Sequence, residues 1–176
     1  MISDLFLQLL EKLFELLQLI QNREFDRFDQ AIEPILLDMQ DIHKDYLDNL
    51  THAKEFIRAV EIDKAIEFLE IERVEWRPLR TVTQALVGQL SLNEHLNKYQ
   101  RLLNAMENYF NPRSSRPAMF EIINILSTAK AKQSLQKNYY TKQIPDLIEY
   151  IDYVITELES SWENISQEYS RVFTTG

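Results

Sequence analysis

The 176-residue chain has no cysteine, two glycines and three histidines. The lack of cysteine excludes disulfides, thiolate zinc ligands and a thiol nucleophile. The glycines are Gly88 and Gly176. They leave no pair for a phosphate-cradling loop, a dinucleotide fingerprint or a strained nucleophile elbow. His43, His52 and His95 are scattered, and none follows a glutamate by three residues, the spacing that helical di-iron sites use. β-Branched runs that alternate with polar residues, the mark of half-buried strands, are also missing. No run of 18 apolar residues exists, and the apolar start carries Asp4, Glu11, Lys12 and Glu15 without a basic opening or a small-residue cleavage site. Neither a membrane span nor a secretory signal is expected, and the location expected is cytoplasmic.

Charge is present but uneven. The chain has 19 basic and 28 acidic residues, net −9. Residues 1–72 carry net −10, residues 73–144 net +7, and residues 145–176 net −6. An acidic protein repels a phosphate backbone unless one basic patch is insulated from the rest. In one folded domain the basic middle is expected to be neutralised by its acidic flanks.

Apolar residues recur at helical period almost throughout. Ile144, Ile148, Ile151, Ile155, Leu158, Trp162, Ile165, Tyr169 and Val172 alternate by four and three, a heptad stripe. Thr141 is the expected N-cap, with Pro145 at the fourth helical position. A second stripe is Leu92, Leu96, Tyr99, Leu103, Met106 and Phe110, with Ser91 and Glu94 as a capping box. A third is Phe25, Phe28, Ile32, Met39, Ile42, Tyr46, Leu50, Ala53 and Ile57, with Pro34 as a kink or a first turn. Ile62, Ile66, Leu69, Trp76, Val82, Leu86 and Leu90 continue past a kink near Pro78. Residues 117–129 read as a shorter helix.

The expected fold is all-α: four long, mostly antiparallel helices with one or two accessory helices, forming one domain over 1–176 with a loop at 111–117. Asp41, Asp45 and Asp48 are expected to face Arg80, Arg77 and Arg73 across a hairpin turning near 60–61, where paired numbers sum to about 121. Such pairs orient helices more than they stabilise them.

No catalytic constellation emerges. Asp45, Asp48 and His52 could at most hold a weak divalent ion, and their simpler role is a solvated face. The carboxylates of Glu67, Glu70, Glu72, Glu75, Glu157 and Glu159 lie among charged neighbours, which does not raise a pKa toward acid–base work. No cofactor or metal is expected. Two surfaces are candidates for contact. The first is the apolar N-terminal helix at 1–22, in which Leu5, Phe6, Leu9, Leu13, Leu16 and Leu17 leave only a narrow polar strip. The second is the basic stretch Arg113, Arg116, Lys130, Lys132 and Lys137 with Tyr139 and Tyr140.

The expected function is non-catalytic: an interaction or adaptor module that binds a protein partner or itself. One alternative is a membrane-perturbing or signalling effector with a releasable N-terminal helix. Another is a small helical enzyme or ion-binding bundle. Nucleic acid is the disfavoured partner.

Overall fold

A computed structural model of the chain describes residues 32–110, 116–133 and 139–174. Every regular element among them is helical. Helix α1 spans Glu33–Arg58 and α2 spans Ile62–Ser91. A 3-10 helix at Glu94–Tyr99 leads directly into α3, Gln100–Tyr109. Helices α4, Arg116–Gln133, and α5, Tyr139–Thr174, follow. The expected N-terminal helix at 1–22, the greater part of the expected 111–117 loop, and residues Phe25 and Phe28 of the third stripe lie outside the described residues.

These residues form two compact units. The first holds 32–43, Glu75–Phe110 and 161–174. Its core includes Ile32, Ile35, Met39, Ile42, Leu86, Val87, Leu90, Leu96, Leu103, Met106, Tyr109, Phe110 and Ile165. The second holds Lys44–Val74, 116–133 and 139–160. Its core includes Tyr46, Leu50, Ala53, Ile57, Ile62, Ala65, Leu69, Ile122, Leu126, Leu147, Ile151, Val154 and Leu158.

Helix α1 buries every described member of its predicted stripe. Pro34 lies at its second residue, where the missing N–H has no partner to lose, so it starts the helix and does not kink it. The end of α1 is a Schellman-type stop. The Val60 N–H bonds the Ile57 carbonyl at 3.0 Å, and the Glu61 N–H bonds the Phe56 carbonyl at 2.9 Å. The residue that must turn left-handed is Val60, at φ 62°. Glycine usually fills this position, because a Cβ there crowds the following carbonyl, and a β-branched side chain crowds it more. Val60 is 57% exposed and has little packing to lose. Val60→Gly should therefore stabilise the protein by about 1 kcal/mol, read as a rise in the urea midpoint at unchanged slope. A lower midpoint would show that Val60 makes contacts that outweigh the strain.

Three side-chain contacts in the second unit follow the turn at 59–61. The buried Asn49 amide donates to Glu72 at 3.1 Å, where the numbers sum to 121, and to Asp45 at 3.1 Å. His52 and Phe56 both meet the Phe68 ring edge-on. At this register the structure places an amide between carboxylates. Ion pairs of this unit include Lys54–Asp152, Lys64–Glu61 and Lys130–Asp63. The Tyr150 hydroxyl donates to Glu121 at 2.6 Å and links α5 to α4. Burial first, and then the Glu121 carboxylate, pushes that phenol up to about 12.

Several local expectations change. Ser91 is the last residue of α2, and its hydroxyl bonds back to the Val87 carbonyl. The cap is Asn93, which accepts from the His95 N–H at 3.0 Å, and the segment starts as a 3-10 turn. The S-x-x-E pattern fails because Ser91 still belongs to α2 and its hydroxyl is spent on the Val87 carbonyl. Leu92, predicted to lead the second stripe, is 79% exposed. Helix α5 begins at Tyr139, so Thr141 lies inside it and Pro145 is its seventh residue. The buried centre of α5 is Leu147, Ile151, Val154, Leu158 and Ile165. Ile148 and Ile155 are half-buried beside it, a rotation of a fraction of a turn. Pro78 lies inside α2, which continues through it as one helix. The accessory helix is longer than predicted, Arg116–Gln133 against 117–129.

Candidate interaction surface

The predicted contact residues divide into two groups. Leu5, Phe6, Leu9, Leu13, Leu16, Leu17, Arg113 and Lys137 lie outside the described residues, as do the side chains of Arg116, Tyr139 and Tyr140. Lys130 is bound to Asp63 at 2.6 Å, and Lys132 also has a partner. At Lys130 the basic stretch is thus neutralised by an acidic neighbour. Near the proposed weak ion site, Asp45 accepts from Asn49, and His52 is turned edge-on to Phe68. Among the described residues no group of three or more metal-ligating side chains is gathered.

The first unit holds the one buried histidine among the described residues. His43 is 8% exposed. Its Nδ1 and the Tyr109 hydroxyl are hydrogen-bonded at 3.0 Å. Its ring stacks on Trp162 with centroids 4.9 Å apart and planes 11° apart. Tyr109 in turn meets Phe110 and Trp162 edge-on. Burial pushes the imidazole below the usual histidine range, because a charged ring would lose its water. A neutral ring packed between Tyr109 and Trp162 acts as a polar core contact.

This packing predicts a pH effect of definite sign. In the unfolded chain the imidazole protonates near its ordinary value of 6.5. In the folded chain it resists, so the unfolded state binds more protons as the pH falls below that value. Stability is complete above this range and declines as the pH drops through it. The melting temperature should fall between about pH 7.5 and 5.5, above the carboxylate range. The His43→Gln variant should show a shallower slope. Equal slopes would mean that the folded imidazole is solvated.

A cleft of about 450 Å³ in the same unit is lined by residues 97–102 and by Glu168, Arg171 and Val172. Two of its three cations are engaged internally: Lys98 lies 4.8 Å over the Tyr99 ring, and Arg171 pairs with Glu168. It brings together no acid–base pair suited to catalysis.

The outward face of α2 is different. Ile71, Val74, Pro78, Thr81, Ala85, Gly88 and Leu92 follow one another by three and four. At 100° per residue Ile71 to Gly88 form a stripe about 180° from the buried Ile62, Ala65, Leu69, Thr83, Val87 and Leu90, and Leu92 follows just past the helix end. Ile71 is 50% exposed, Val74 58% and Leu92 79%. Thr81 and Ala85 are exposed as well. The Thr81 hydroxyl bonds the Arg77 carbonyl at 2.8 Å, which removes its polarity from the stripe. A Cβ added at Gly88 would meet nothing within 4 Å. From 76 to 93 the sequence has no carboxylate. A solvent-facing helix stripe ordinarily carries charge, and this one carries none from Ile71 to Gly88. Its signal was present in the sequence as a second seven-residue period on the opposite face. Its small members add little hydrophobicity, so the period stands out weakly.

The fold and this surface define an all-helical protein with two apolar faces on one helix. No family model matches the chain, and no characterised protein or solved structure is similar to it.

Proposed function

We propose that the protein is a non-catalytic contact module, a cytoplasmic bundle of four long, mostly antiparallel helices that works by binding a protein partner or a second copy. The observation that carries this reading is the uncharged outer stripe of α2. Contiguous exposed apolar surface is costly in water and marks interaction sites in folded proteins. The stripe runs along a single helix with a heptad spacing, the form in which one helix receives another. The heptad stripes of α1 and α5 support the bundle arrangement, since each is long and apolar on one face only.

The test uses the full chain and the double variant Val74→Glu, Leu92→Glu. Both positions are exposed, so the variant should keep the wild-type melting temperature to within about 1–2 °C. A protein recovered in stoichiometric amount with the wild type and lost with the variant, or a wild-type dimer absent in the variant, supports the reading. Identical partners and identical mass for the two chains would overturn it.

A further inference from the structure

We infer that the cleft between the start of α3 and the end of α5 binds a small organic dianion, a phosphate monoester with a compact apolar body. The site lies wholly within the first unit. It goes beyond the contact-module reading and does not depend on the α2 stripe.

The first observation is charge. The chain as a whole carries net −9, yet this cleft is lined by Lys98, Arg101 and Arg171 against one carboxylate, Glu168. Glu168 is spent on Arg171. Arg171 also lies in the last turn of α5, where a cation offsets the negative end of the helix dipole. Lys98 rests over the Tyr99 ring, a contact that holds the ammonium without neutralising it. Among the described residues neither Lys98 nor Arg101 has a carboxylate partner. The nearest acids in sequence, Glu94, Glu107 and Glu163, are exposed and do not line the cleft. A local excess of two positive charges remains.

The second is geometry. Lys98 ends the 3-10 helix and Arg101 is the second residue of α3, which follows without a break. Residues three apart on a continuous helical path lie on one side of it. The guanidinium offers a planar fork of donors for two oxygens of one head group, and the ammonium adds a mobile point charge. A phosphate dianion matches both charges, whereas a single carboxylate matches one.

The third is the apolar wall. Leu102 is fully buried at the cleft, and Tyr99 and Val172 are half-buried beside it. The volume of about 450 Å³ falls in the range of small-ligand sites and exceeds what a bare phosphate ion fills. Exposed ion pairs contribute little alone, so an organic body against this wall is what makes binding saturable.

The test is calorimetric titration of the full chain at low ionic strength with phenyl phosphate, inorganic phosphate and phenol. Phenyl phosphate should bind one to one, about tenfold more tightly than inorganic phosphate, and phenol should give no saturable heat. Arg101→Gln and Lys98→Gln should each weaken phenyl phosphate about fivefold or more. Arg77→Gln, at an exposed arginine of the same unit outside the cleft, should leave its affinity unchanged. All three positions are exposed, so the free variants should melt within about 1–2 °C of wild type. No saturable heat with about 10 mM phenyl phosphate would overturn the site. Equal weakening by Arg77→Gln would overturn it too, since the anion would then sense only the general field. Phenol binding as tightly as its phosphate ester would remove the anion from the reading. Inorganic phosphate binding as tightly as the ester would overturn the organic class of ligand.

Discussion

Ile151→Asp should cost about 3–5 kcal/mol, a large part of the roughly 5–15 kcal/mol that holds a domain together. Ile151 is fully buried in the second unit, on the α5 face that also buries Leu147, Val154 and Leu158. A carboxylate there loses its water and gains no designed partner, so it must either stay charged at high cost or take up a proton. Eight residues on, Glu159 is exposed. Glu159→Lys reverses a charge in water and should stay within about 0.5 kcal/mol of wild type. Thermal melts of the two variants should therefore differ by roughly 10 °C or more. Comparable melting temperatures would mean that the buried face of α5 is not the one containing Ile151.

The second large effect centres on Tyr109. Its side chain is fully buried, and Tyr109→Ala should cost about 3–5 kcal/mol through lost ring contacts and a cavity. The loss also strands His43, whose Nδ1 shares its hydrogen bond with the Tyr109 hydroxyl. Tyr109→Phe keeps the ring against Phe110 and Trp162, at centroid distances of 5.5 and 6.2 Å. It removes only the hydroxyl and should cost about 1–2 kcal/mol. Trp162 gives an independent readout, because its emission should shift to the red in the alanine variant and barely move in the phenylalanine variant. Equal destabilisation by both would show that the hydroxyl, and not the packing, carries the energy.

The helices were legible because their signal is periodic and local. The stripe of α1 was read almost residue by residue, since each apolar side chain follows the last by one helical turn. Punctuation was harder. Ser91 and Glu94 satisfy a capping rule, yet Asn93 caps the turn, because the end of α2 is set by what Leu90 and Leu96 bury rather than by the nearest serine. Thr141 does not cap α5, because the helix starts two residues earlier. The His43–Tyr109 bond joins residues 66 positions apart, and nothing in either neighbourhood announces the other.

Composition and periodicity alone determined that this chain is helical, has no thiol chemistry and has no glycine-rich phosphate loop, because those properties follow from residue type and spacing along a single backbone. Tertiary structure decided which of two apolar stripes on α2 is core and which stands in water. Both have the heptad spacing, so spacing alone does not separate them. The difference comes from the larger side chains, Leu69, Leu86 and Leu90, which exclude more water when neighbouring helices close on them than Thr81, Ala85 and Gly88 could.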